Sequence, residues 1–257
     1  MTKIFIDPGH GGSDSGAVGN GLQEKNVTLQ IATRVRDMLV NEYEGVSVRM
    51  SRTGDQTVSL KQRTDNANGW GANFYLSIHI NAGGGTGYED YIYSGLSDSS
   101  TTAKLRNTIH EEVVKLIGLH NRGKKKANFH VLRETKMHAI LTENGFIDHA
   151  NDANLMKSST WLNNAARGHV NGLAKALGLK KKSGGGTLYK VQIGAFSKKS
   201  NADALAAKAK EAGFTPYVFL EDELYKVQIG AFAEKENADA LVTKARQKGF
   251  DAFIVMQ

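Results

Sequence analysis

Apolar residues alternate between short continuous runs and helical spacing through most of the chain, and this switch of period sets the element order. Lys3 to Ile6 reads as a first strand; Val27, Ile31, Val35 and Leu39 then recur on one helical face after Glu24. Val46 to Met50 predicts a second strand and Leu60 to Trp70 a helix. Phe74 to Ile80 is almost unbroken in apolar character, as in a strand buried on both faces. Tyr88 to Tyr93 predicts a further strand, Leu105 to Ile117 a helix, Phe129 to Leu132 and Ala139 to Leu141 strands, and Trp161 to Leu177 a last helix. Residues 1–179 therefore predict an α/β domain: a mixed, mostly parallel sheet with helices on both faces.

The pattern breaks at 180–187, where Lys180, Lys181 and Lys182 run into Ser183-Gly184-Gly185-Gly186-Thr187, a composition that predicts a flexible linker. Beyond it the nine residues Leu188 to Phe196 recur unchanged as Leu224 to Phe232, 36 positions later. Asn201-Ala202-Asp203-Ala204-Leu205 recurs from Asn237, and Gly213-Phe214 from Gly249. Each repeat (188–223 and 224–257) runs strand, Ala/Lys-rich helix, glycine stop and second strand. One such unit is too small to bury a core, so the two are expected to pair into a small βαββαβ, ferredoxin-like domain.

Composition narrows the chemistry. The chain has 257 residues, 40% hydrophobic, and no cysteine, so any metal must be held by His, Asp or Glu. No apolar run approaches the roughly 18–20 residues that cross a bilayer, and Met1-Thr2-Lys3 precedes Ile4 without a signal-peptide core. The net charge is +7, yet residues 188–257 carry only +1 without the three linker lysines, too little for a module that neutralises several phosphates. No nucleic-acid partner and no membrane span are expected, and the chain is expected to be monomeric.

Four polar residues stand where strands end or loops open: His10 in Ile6-Asp7-Pro8-Gly9-His10-Gly11-Gly12, Glu24, His79 in Ser77-Ile78-His79-Ile80-Asn81-Ala82, and Glu143 in Thr142-Glu143-Asn144-Gly145-Phe146. In open α/β sheets that is where sites assemble. Two histidines and one carboxylate with an open fourth position make a common catalytic zinc site, and a further glutamate can serve as general base.

These segments, in this order, resemble the signature of zinc-dependent N-acetylmuramoyl-L-alanine amidases of the amidase_3 type. The likeness extends to Ser51-Arg52-Thr53 with Asp55, and to Leu60 with Arg63, Ala67 and Asn68. It implies that His10, Glu24 and His79 hold Zn2+, that Glu143 is the catalytic acid/base, and that Asn81 lies near substrate. The bond cut would join the lactyl group of N-acetylmuramic acid to L-alanine of the stem peptide. The tail resembles the SPOR domain, which implies peptidoglycan as partner and workplaces at the cell wall, outside the cell, with export or lysis left open. Candidate wall-binding residues are Tyr189, Gln192, Phe196, Tyr225, Gln228 and Phe232, of which alternation lets only part face a ligand. An RNA-binding module shares the βαββαβ topology but would need an aromatic RNA-binding string that is absent here. Two other readings compete: a wall-binding or spore-coat protein with a vestigial hydrolase domain, and a zinc peptidase acting within the stem.

Other motifs carry less. His110-Glu111-Glu112 lacks the second zincin histidine, since position 114 is Val114, and reads as a solvated helix face. Gly83-Gly84-Gly85 reads as a mobile rim loop, and Lys124-Lys125-Lys126 as a solvated loop or, alternatively, an attractor of anionic wall polymer. Arg52 and Arg63 are expected to hold structure through ion pairs. Nothing in the pattern discriminates among His120, His130, His138, His149 and His169.

Overall fold

The computed structural model describes residues 1–182 and 188–256, which form two compact units, Met1–Lys181 and Lys182–Gln257. Most of the expected linker, residues 183–187, lies outside the described residues. No helix among the described residues is long and apolar enough to cross a membrane.

The first unit is built on a six-stranded sheet of order β4-β1-β5-β8-β6-β7. Its strands are β1 (Thr2–Pro8), β4 (Val46–Met50), β5 (Phe74–Asn81), β6 (Tyr88–Tyr93), β7 (Asn121–Ala127) and β8 (His138–Phe146). All pairings are parallel except β6 against β8. A two-stranded hairpin, β2 (Val18–Gly19) with β3 (Leu22–Gln23), precedes α1 (Glu24–Glu42). Ile4, Ile6, Leu76, Ile78 and Ile140 bury one sheet face against α1, α3 (Thr101–Ile117) and α6 (Ser159–Leu177). The opposite face is covered by the shorter α2 (Leu60–Trp70) and α4 (His130–Arg133), through Ala67, Val131 and Leu132. α5 (Ala150–Met156) follows β8.

Glycine fixes how closely α6 approaches α3: a Cβ at Gly168 would lie 2.7 Å from Val113 Cα, and one at Gly172 2.7 Å from Ile109 Cα. His169, between them, is fully buried; Nδ1 donates to Ala165 O at 2.7 Å and Nε2 faces Thr142 Oγ1 at 3.1 Å. Burial lowers its pKa to about 4. A histidine with a depressed folded-state pKa contributes stability above its unfolded value near 6.5, lost as pH falls toward 4. His169 should thus account for about 3 kcal/mol of acid destabilisation across that window. Urea unfolding at both pH values should show a shallower loss in His169→Gln than in the parent.

Two expectations fail. Phe129–Leu132 is not a strand: the amides of Leu132, Arg133 and Glu134 bond back to Phe129 and His130 carbonyls, making a helical turn. A run this short carries no usable period. Lys124–Lys126 is not a loop but part of β7, a sheet edge paired only with β6. Charged lysines suit an edge, where they oppose pairing with another chain.

The second unit contains β9 (Tyr189–Phe196), α7 (Lys199–Glu211), β10 (Tyr217–Glu221), β11 (Leu224–Phe232), α8 (Lys235–Gln247) and β12 (Phe253–Met256). Its antiparallel sheet has the order β10-β11-β9-β12. Both helices pack on one face, where Val191, Ile193, Val227 and Ile229 meet Ala202, Ala209, Ala238 and Val242. This is the expected βαββαβ arrangement, with one central strand from each repeat.

Candidate metal centre

The site begins in the support beneath His10. Asp7, 1% exposed near the end of β1, accepts from Ser51 Oγ at 2.6 Å, Arg63 at 2.7 Å and Ser77 Oγ at 2.9 Å. Burial pushes its pKa up, but the Arg63 charge and the Ser51 hydroxyl outweigh this and hold it below the carboxylate norm. Arg63 also donates to Pro8 O at 2.8 Å and His10 O at 2.7 Å. Arg52 serves the same turn through carbonyls rather than an ion pair, donating to Pro8, Gly9 and Lys25. These contacts hold His10 at φ 58, a left-handed conformation that is costly for a residue other than glycine. Arg63→Met leaves Asp7 buried and unpaired, and should cost about 3–5 kcal/mol in urea unfolding.

Three elements then converge. His10 follows β1, Glu24 opens α1, and His79 lies near the end of β5. Glu24 is 4% exposed and faces His10 Nε2 at 3.1 Å and His79 Nδ1 at 3.0 Å. Its oxygens also accept from the Ala17 and Ile80 amides, both at 2.9 Å. The two imidazoles meet edge-on, with centroids 5.0 Å apart. Only glycine fits at position 9, because a Cβ there would lie 2.3 Å from His79 Cε1. One ligand atom from each of the three residues lies within 4.8 Å of the others.

The electrostatics match the geometry. Burial raises the Glu24 pKa, but its bonds to His10 and His79 lower it further, leaving the carboxyl firmly ionised. Burial opposes charge on His10, yet Glu24 and Asp14 outweigh it and raise its pKa. Asp14 Oδ2 lies 2.8 Å from His10 Nδ1 and orients the ring.

Glu143 stands beside His79 in the β5–β8 register and beside Glu89 in the β6–β8 register, so all three side chains share one face. Its Oε2 is buried without a hydrogen-bond partner. Burial, then the Glu24 and Glu89 carboxylates, pushes its pKa well above the usual range. An orphaned carboxylate oxygen beside a His2Glu donor set is a group awaiting a cation and a polar ligand, and the donors fit zinc. Asn81 is half-buried, and its amide donates to Glu89 Oε1 at 2.9 Å.

The other singled-out residues fall elsewhere. His110 is a correction: it is 3% exposed, not solvated, and sits between Asp90 at 2.7 Å and Asn121 at 2.9 Å. The Gly83 and Gly84 amides both grip Asp148 at 2.8 Å, which pins the supposed rim loop. Of the wall-binding candidates, Tyr189, Phe196, Tyr225 and Phe232 pack against the helix-side core. Gln192 and Gln228 lie on the other face, opposite Phe253 and Tyr217 respectively. Sequence reasoning missed Tyr217 and Phe219, stacked at 5.4 Å on that face, with Lys190 Nζ 5.8 Å from the Phe219 ring. It also missed Asp14, whose position four residues after His10 was the available signal, and Glu89.

Comparison with known proteins agrees in both parts of the chain. Residues 4–175 match the N-acetylmuramoyl-L-alanine amidase family, Amidase_3, and segments 170–220 and 185–256 match the SPOR domain. The chain is 60% identical over 222 residues to the N-acetylmuramoyl-L-alanine amidase CwlM of Bacillus licheniformis, covering 86% of each. Identity and coverage are the same for a sporulation-specific N-acetylmuramoyl-L-alanine amidase of Bacillus subtilis. Among solved structures, the catalytic domain of the amidase CwlV from Bacillus (Paenibacillus) polymyxa superposes with TM-score 0.66 at 34% identity, covering 70% of this chain and all of that one. With the sheet, the His2Glu cluster and these matches together, the chain belongs to the N-acetylmuramoyl-L-alanine amidase family and carries a SPOR domain.

Proposed function

We propose that this peptidoglycan amidase cuts the bond between the lactyl group of N-acetylmuramic acid and L-alanine of the stem peptide, at a zinc ion held by His10, Glu24 and His79. The observation that carries the reading is the His2Glu cluster, gathered on buried Glu24, beside Glu143. A bound zinc ion supplies Lewis acidity that lowers the pKa of water and polarises the amide carbonyl. Glu143, one strand from His79, accepts the proton of the attacking water and passes it to the departing amide nitrogen. Burial and the neighbouring Glu24 and Glu89 carboxylates raise its pKa, which makes the ionised carboxylate a stronger proton acceptor than a solvated one. Asp14 and the Arg63-braced turn hold His10 so that the cluster keeps its shape.

The SPOR unit would hold the enzyme on wall through the helix-free face bearing Tyr217, Phe219, Gln228, Gln192 and Phe253. Aromatic rings beside amides suit the alternating apolar faces and hydroxyls of glycan. Phe219→Ala should weaken co-sedimentation with purified wall by roughly tenfold while leaving cleavage of soluble muropeptides unchanged. Unaltered sedimentation would move the binding surface elsewhere. The catalytic reading is tested by incubating the chain with purified wall, with and without chelator: stem-peptide release should depend on metal.

A further inference from the structure

Beyond Glu143, on the side away from His79, a cationic cluster remains that neither the metal site nor the proton transfer uses. Glu89, 2% exposed, receives Arg122 Nε at 2.6 Å and Lys125 Nζ on the same oxygen, Oε2. Its other oxygen receives Tyr91 Oη at 2.6 Å and Asn81 Nδ2 at 2.9 Å. Four donors saturate one carboxylate, and two of them are cations, so the cluster carries one positive charge more than it needs. Arg122 has one further partner, Thr86 O at 3.3 Å, and its guanidinium lies 4.8 Å over the Phe146 ring. Both cationic side chains reach solvent, at 31% and 36% exposure. Lys125 has three donors and Arg122 five, so each keeps N–H groups to offer a ligand.

We propose that Arg122 and Lys125, gathered on Glu89, form a recognition site for a free carboxylate of the stem peptide on the amine side of the cleaved bond. This rests on the amidase reading above. The chemistry of the substrate fixes the side: the lactyl carboxyl is consumed in the scissile amide and the N-acetylated sugars are neutral, so the nearby carboxylates belong to the peptide. The first of them is the α-carboxyl of the γ-linked glutamate that follows L-alanine, present free or as a carboxamide. Distance agrees. Glu89 lies two strands from His79, about 10 Å between backbones, with Glu143 between them. Arg122 and Lys125 reach from β7 to Glu89 at the far side of that gap, and two extended residues span roughly 7 Å of it. A carboxylate arriving there meets the surplus charge; a carboxamide does not.

The test compares two soluble disaccharide-tripeptides that differ only in D-isoglutamate or D-isoglutamine at the second stem position, cleaved by zinc-loaded full chain. The expected result is a kcat/KM about tenfold higher for the carboxylate form, falling to near equality in Lys125→Met and in Arg122→Gln. Because the readout is a ratio within one preparation, a variant that folds incompletely still reports it, and Lys125→Arg should restore the preference. A preference unchanged in both variants, or a parent enzyme indifferent to amidation, overturns the proposal while leaving the amidase reading intact. Cleavage of neither substrate by the parent overturns both.

Discussion

Glu143→Gln is expected to retain zinc and lose hydrolysis of purified wall by about 10²–10⁴-fold. The substitution keeps the shape of the side chain but removes its capacity to take a proton. Among the described residues Glu143 makes no ion pair and its Oε2 has no hydrogen-bond partner, so the substitution breaks no contact of that oxygen. The parent carboxyl is pushed upward by burial and by the Glu24 and Glu89 charges, and the neutral amide relieves both costs. Thermal stability should therefore stay level or rise while activity falls, a combination that separates a chemical role from a structural one. Full activity in this variant would remove Glu143 from the mechanism.

Glu24→Gln should act by a different route, losing metal first and activity as a consequence. Glu24 is the acidic member of the cluster, bonded to both histidines and to two backbone amides. Its ionised state balances the cation, and the amide donates where one carboxylate oxygen accepted, opposing either His79 and the Ile80 amide on Oε1 or His10 and the Ala17 amide on Oε2. Zinc content after dialysis should drop to background and hydrolysis with it. Equimolar zinc in Glu24→Gln would mean that the ligand set is drawn from other residues.

The candidate cluster was legible in the sequence because His10, His79 and Glu143 sit in short motifs after or toward the ends of the adjacent parallel strands Thr2–Pro8, Phe74–Asn81 and His138–Phe146, while Glu24 opens the helix that follows the first of them. What lay outside local pattern was harder to read. His110 follows Ile109 on a helix whose buried stripe passes through Ile109 and Val113, and nothing nearby in sequence announces Asp90 as its partner. Lys125 reads as one of three solvated lysines until the sheet order sets it beside Glu89. In the repeats, strict alternation from Val191 and Val227 places Tyr189 and Tyr225 correctly but misplaces Phe196 and Phe232, because the β9–β11 register shifts on both sides of Gln228. Past that irregularity Gly194 and Gly230 face Leu205 and Leu241 of the helices, and Phe196 and Phe232 return to the core with them.

Metal analysis coupled to product identification on a defined muropeptide tests whether His10, Glu24 and His79 hold a zinc ion that opens one bond in the wall. The expected result is equimolar zinc, loss of cleavage when the metal is stripped and return when zinc is restored, with a free lactyl carboxyl and a free L-alanine amine as the new ends. Cleavage that persists in the stripped protein, or new ends located within the stem peptide, would contradict it.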